Sequence, residues 1–259
     1  MVFILDLAKI GSRCKLLQKG MICRMTQTAR PIAILTVLLV SLVLTSGSKA
    51  QSVPLDSIQG LQARNVEIKP MAYQGRKAIQ VMPTAESDSS AAPGSGGGGI
   101  VILPRLAFHN GTIELDVVGK PRAGAPGDAR GFVGLAFRAN ADASKYECVY
   151  IRPTNGRADD QLRRNHSTQY CSYPDYEWQR LRTESPGKYE SYVDLQQGEW
   201  TKLKVEVSGL TMKLYVNGAS HPALIVNDLK MGDAQGSVAL WVGLGTEAYF
   251  ANLRLTAAP

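Results

Sequence analysis

Histidine and cysteine are scarce in this 259-residue chain, at three and four respectively. Cys14 and Cys23 lie near the start, which leaves Cys148 and Cys171 in the body. Two cysteines and the scattered His109, His166 and His221 give no metal-ligand spacing, so no metal is expected. A cofactor motif is missing too. The glycine run near residue 95 lacks a following Lys-Ser/Thr, and Ile100–Leu103 after it reads as a strand rather than a helix, so the run does not cradle phosphates. No cofactor is expected. Long apolar runs are also missing. Residues 32–44, IAILTVLLVSLVL, make up 13 residues, where a bilayer span needs about 20.

Charge of one sign is absent from most of the chain. The formal charge is +7, from 29 Lys/Arg and 22 Asp/Glu, but residues 1–50 hold seven of the basic residues and one acid. Subtraction leaves 22 basic and 21 acidic residues, a net +1, for residues 51–259. A nearly neutral body has no broad field to gather polyanions, which excludes nucleic acid as the main partner.

What is present begins with a leader. A basic segment precedes the apolar run, and Ser48-Lys49-Ala50 follows it. Small residues at the first and third of those positions fit a signal-peptidase site after Ala50. The alternative is an uncleaved N-terminal anchor. A start at Met25 would give a leader of ordinary length, so residues 1–24 are expected to precede the true start. The expected organisation is a leader over 1–50 and one β domain over 51–259. It would be extracytoplasmic (periplasmic or secreted), with no stable membrane span after cleavage. In an oxidising compartment Cys148 and Cys171 would be able to close a disulfide loop of roughly two dozen residues, worth about 3 kcal/mol. Two free thiols are the alternative.

Period-2 alternation dominates the body. Asn65–Lys69 and Lys77–Met82 read as a first strand pair, with Gly75 at the turn. Ser87–Gly99 (SDSSAAPGSGGGG) reads as a flexible surface loop. Thr112–Val118 places Ile113, Leu115 and Val117 on one face. Gly131–Arg138 sets Val133, Leu135 and Phe137 against Gly134, Ala136 and Arg138; Tyr146–Arg152 sets Val149 and Ile151 against Cys148, Tyr150 and Arg152. Thr201–Val207, Thr211–Val216 before Asn217-Gly218, Ser237–Val242 and Tyr249–Leu255 complete the set. Many short strands, no long helix and no repeat indicate an all-β sandwich or jelly roll of two antiparallel sheets.

These strands, with GTIELDV, GFVGLAFR, YECVYIRPTNG, WTKLKVEV, LYVNG and GSVALWVG…YFANLRL among them, resemble concanavalin A-like, laminin-G-like sandwiches of secreted bacterial proteins. They are particularly similar to the group labelled 3-keto-disaccharide hydrolase-like. The resemblance spans nearly all of residues 55–257. It implies the fold far better than an activity. β-Glucan hydrolases of this fold carry E-x-D-x-x-E. Here Glu114-Leu115-Asp116 is followed by Val117, Val118 and Gly119, so that machinery is incomplete.

Such sandwiches offer a concave sheet face to ligands. Arg138, Tyr150, Arg152 and Trp241 are the expected contacts on it, and small Gly134 and Ala136 leave room above the strands. Trp241 would stack on a sugar face. The segment Tyr150–Tyr192 interleaves arginines with aromatic rings, so Trp178 and Arg180 join the ligand-binding candidates; Arg forks bind carboxylates and stack on rings. Its alternative role is internal pairing with Asp159, Asp160, Asp175 and Glu177. If the chain is an enzyme, Asp175, Glu177 and His166 are its catalytic candidates. Three readings follow: a carbohydrate-binding domain whose partner is a saccharide, a glycoside hydrolase or lyase, or an interaction module of the envelope. Oligomeric state has no sequence signal.

Overall fold

The computed structural model describes residues 50–90 and 98–258, the side chains of Ser89 and Ser90 excepted. The expected leader and start, and most of the glycine run, lie outside the described residues. Among them no helix is long and apolar enough to cross a membrane.

The strands in chain order are β1 (Ala50–Val53), β2 (Gln62–Arg64), β3 (Val66–Tyr73), β4 (Arg76–Pro83), β5 (Gly98–Phe108), β6 (Gly111–Pro121), β7 (Val133–Ala139) and β8 (Tyr146–Ile151), then β9 (Thr168–Tyr173), β10 (Glu190–Ser191), β11 (Thr201–Ser208), β12 (Thr211–Val216), β13 (Leu224–Val226), β14 (Gly236–Gly243) and β15 (Thr246–Ala257). Three short helices, α1 (Ala85–Ser90), α2 (Gln161–Asn165) and α3 (Trp178–Glu184), sit between them. One sheet runs β13-β12-β11-β6-β15-β4-β3, with β1 also paired to β15; the other runs β10-β9-β8-β7-β14-β5-β2. Every ladder is antiparallel. This is the all-β, two-sheet sandwich that the alternation predicts.

The alternation also decides which faces meet. Ile113, Leu115 and Val117 of β6 pair in register with Val205, Leu203 and Thr201 of β11. Val133 and Leu135 of β7 lie opposite Ile151 and Val149 of β8. All of these apolar residues are buried in one core between the sheets. Removing such area from water is the main stabilising term, about 25 cal/mol per Å².

Two departures from the sequence reading have local causes. The front of the expected flexible loop is the helix α1, started by Thr84, whose Oγ1 accepts from the Ser87 N–H at 3.3 Å. Asp88 ties that helix to the sheet end by accepting from Gly245 N at 3.0 Å and pairing with Arg122 at 2.5 Å. The last glycines of the run belong to β5. A Cβ on Gly99 would lie 1.9 Å from Val66 Cγ1, so glycine there is a packing requirement of the sheet.

Candidate functional site

The outer face of the sheet containing β8 is assembled from alternate residues of adjacent strands. Gly134 of β7 lies between Trp241 of β14 and Tyr150 of β8. A Cβ on Gly134 would meet Tyr150 Cβ at 2.6 Å. The missing side chain lets the two flanking rings close over the strand, stacked at 4.5 Å between centroids and 26° between planes. Phe132 meets Tyr150 edge-on at 6.2 Å. Further along β8 and β9, Tyr146 stacks on Tyr173 at 4.7 Å. Cys148 and Cys171 occupy the step between these two aromatic layers. The six steps from Tyr146 to Arg152 at ~3.3 Å each make a strip about 20 Å long.

Arg152 ends the strip, and it is buried together with the Tyr150 and Trp241 rings, at 5%, 3% and 3% exposure. Its Nη2 donates to Tyr150 Oη at 3.1 Å and Gln169 Oε1 at 3.0 Å; its Nη1 donates to His166 O at 3.0 Å and Glu190 Oε1 at 3.2 Å. Glu190, opposite Gln169 in the β9–β10 ladder, gathers the charges. Arg182 of α3 donates to it through Nε at 3.0 Å and through Nη2, and His166 Nδ1 stands 2.9 Å from its Oε2. Burial pushes the Glu190 carboxyl up, but Arg182, Arg152 and His166 outweigh it and hold the group below its ordinary value. Burial likewise lowers His166, against the opposing pull of Glu190. Arg182 also lies over the Trp178 ring, 4.5 Å from its centroid. The arrangement is one continuous path: Trp241, Tyr150, Arg152, Glu190, Arg182, Trp178.

Tyr150, Arg152, Trp178 and Trp241 are therefore brought together, through two residues, Glu190 and Gln169, that sequence reasoning missed. Neither has a motif around it. Arg180 stands apart at an exposed position: it donates to Glu184 Oε1 and Asp175 O and lies over Tyr176. Asp175 is exposed in the turn before α3, Glu177 occupies the position that opens that helix, and the charges acting on His166 are Glu190, Arg182 and Arg152.

Arg138 corrects the sequence reading. It is buried like Tyr150, Arg152 and Trp241, but all three of its guanidinium nitrogens are engaged at the end of the sandwich and away from the strip. Its guanidinium donates to the His109, Gly209 and Gly232 carbonyls, Asn110 Oδ1 and Asp233 Oδ1, at 2.5 to 3.3 Å. The cause is a positive φ of 54° at Arg138 beside a register shift between Ser237 and Ala239. The irregularity ends the period-2 pattern one residue early. Glu147 shares the inward face of Val149. Tyr170 Oη donates to its Oε2 at 2.6 Å and Met231 N to its Oε1 at 2.8 Å, and burial raises its pKa.

Cys148 and Cys171 are free thiols rather than a bridge. They face each other directly across the β8–β9 ladder. Burial and the neighbouring thiol push Cys148 well up, and the protonated form is the unreactive one. Among the described residues no group of three His, Cys, Asp or Glu is placed to hold a metal ion.

The opposite sheet has aromatic rings of its own. Tyr73 stacks on Tyr249 at 4.0 Å, with Trp200 edge-on to Tyr73 at 6.1 Å. This group seals itself, because Tyr73 Oη donates to Gly198 O at 3.0 Å and Tyr249 Oη donates to Glu247. A nearby depression of about 430 Å³, lined by Glu67, Ile68, Lys69, Gln80 and Met82, has no ring in its wall.

No family model matches the chain, and no curated protein does either. Solved structures do. The carbohydrate-binding module CBM66 from Bacillus subtilis superimposes at a TM-score of 0.51 with 16% identity, covering 76% of this chain and 96% of the module. A protein of unknown function with a galectin-like fold, also from Bacillus subtilis, gives 0.51 with 11% identity, covering 80% and 94%. At these identities the likeness is one of fold: the chain is a concanavalin A-like β-sandwich.

Proposed function

We propose that the chain is a saccharide-binding module that meets its ligand on the outer face of the sheet containing β8. The observation that carries this reading is the contact path from Trp241 to Trp178, in which two stacked rings, two guanidinium groups sharing Glu190 and a third ring follow one another. Sugars present apolar C–H faces and in-plane hydroxyls; rings stack on the first and fixed donors bind the second. CBM66 is named a carbohydrate-binding module, and the same class of ligand is proposed here on the strength of these side chains. The leader over residues 1–50 supports an extracytoplasmic place of action, where glycans are met.

Glycoside hydrolysis would need two carboxyl groups across a scissile bond. The carboxylate at the centre of this site, Glu190, is instead held ionised by two arginines, which suits positioning and not proton donation. The test is isothermal titration with a saccharide panel. Saturable binding that is lost in Trp241→Ala and retained in Lys213→Gln, on the other sheet, is expected. Binding unaffected by Trp241→Ala would sink the assignment of this face, and product formation would sink the non-catalytic reading.

A further inference from the structure

Just beyond the strip lies a group of arginines that form no ion pair with a carboxylate among the described residues. The register places Phe132, Arg152 and Ser167 level with one another, one step past the paired ends Val133, Ile151 and Thr168. The next turn of chain brings in Arg130, the 3-10 turn Pro153–Asn155 and α2, with Thr154 N donating to Arg130 O at 3.3 Å and Asn155 Nδ2 to His166 O at 3.1 Å.

Three of the nearby carboxylates are already engaged, and Asp128 acts on Arg130 only from beyond 4.0 Å. Glu190 serves Arg152 and Arg182, Asp194 serves Arg157 at 2.8 and 3.1 Å, and Asp160 caps α2. Arg130, Arg163 and Arg164 have no carboxylate within 4.0 Å among the described residues. Arg130 reaches only the carbonyls of Gly127 and Ala129, and Arg164 only Tyr192 Oη. Arg163 and Arg164 each keep a buried Nε without a partner, and beside them Thr154 Oγ1 and Asn155 Oδ1 are buried acceptors without one. Asn155 is 4% exposed. Buried polar groups in folded proteins are otherwise nearly always paired. Burial first, then Arg163, and in part Arg152, lower the pKa of Arg130, with Asp128 opposing. Like charges are thus packed together with spare donors and spare acceptors in one place.

We infer that this cluster receives the carboxylate of an acidic sugar, so that the saccharide on the Tyr150–Trp241 face is a uronate-containing one. The inference rests on the saccharide reading above and narrows it. Guanidinium forks match the planar carboxylate, and the orphan oxygens of Thr154 and Asn155 take hydroxyl protons of the same ring. A body of net charge +1 has no long-range field for a polyanion. Recognition of the charge is local, one carboxylate at a time.

The experiment compares oligosaccharides of glucuronate, galacturonate and mannuronate with their carboxyl-reduced counterparts and with a sulfated neutral oligosaccharide, titrated into the full chain. At least one uronate compound is expected to bind about tenfold or more tightly than its reduced form, with a preference that weakens as salt is added. Arg163→Gln and Arg130→Gln, each checked for an unchanged urea midpoint, are expected to reduce the preference to under about threefold, while Lys213→Gln keeps it. Equal binding of acid and reduced forms overturns this inference and leaves the saccharide reading standing. A preference for the sulfated compound alone, or a preference untouched in both arginine variants, also overturns it. No binding to any member overturns both.

Discussion

Replacing Glu190 with glutamine tests the hub of the site. The carboxylate accepts from Arg152 and Arg182 and stands beside His166. The three neighbours are not equally exposed. The Arg182 side chain is 34% exposed and His166 20%, so water can replace part of what they lose; Arg152 is 6% exposed and Glu190 3%. Removing one partner of a sealed ion pair costs about 3–5 kcal/mol because the other charge stays buried. Partial rehydration of Arg182 and His166 places Glu190→Gln near the lower end, about 3 kcal/mol. The assay is urea unfolding at neutral pH with an unchanged slope, so that the midpoint reports stability. Arg152→Met strands Tyr150 Oη, Gln169 Oε1 and His166 O whether or not Glu190 is present, so the comparison is a double-mutant cycle: Glu190→Gln is expected to cost less in the Arg152→Met background, where no buried charge is stranded. A loss below about 1 kcal/mol, the value of an exposed pair, or an undiminished cost of Glu190→Gln in the Arg152→Met background, would refute the claim that Glu190 neutralises a buried guanidinium.

Arg138→Met is expected to destabilise by about 3 kcal/mol or more, by stranding its buried acceptors, while saccharide affinity stays unchanged in titration; a selective loss of binding would restore Arg138 to the ligand face. Cys148 and Cys171, both buried and with Cys148 held protonated, are expected to resist iodoacetamide in the folded protein and to react only as urea unfolds it, read as the mass added per label; rapid labelling of the native protein would refute their burial. Asp228 accepts from Lys188, Lys230 and Tyr189; burial opposes these bonds, yet they push the carboxyl down to about 2. Its depressed pKa means that its stabilisation is fully present above the unfolded value and is lost as pH falls toward about 2; Asp228→Asn flattens that part of a melting-temperature profile. Glu190 acts with the same sign.

The strands were legible because one face of each is buried and the other is not. The opening pair and its turn at Gly75, the inward Val133–Leu135–Phe137 row and the small outward Gly134 and Ala136 all follow from period-2 alternation. The rule fails where the backbone breaks its period. Arg138 was expected beside Ala136, but its positive φ and the β14 register shift send it into the fold instead. Glu190 and Gln169 were not legible because their importance comes from a two-residue pairing, β10 on β9, 21 positions apart. Composition marked Tyr150–Tyr192 as rich in arginine and aromatic rings. It did not separate the arginines that pair with carboxylates, such as Arg157 and Arg180, from Arg163, whose buried Nε has no partner.

Saturation-transfer NMR on the purified protein with acidic and neutral oligosaccharides, paired with ring-proton shifts of Trp241 and Tyr150, tests the central claim most directly. Saturation passing to a sugar, with shifts at Trp241 and Tyr150 and none at Tyr73 or Trp200, is the predicted result. Saturation accompanied by shifts at Tyr73 and Trp200 alone would place the ligand on the other sheet and contradict the account.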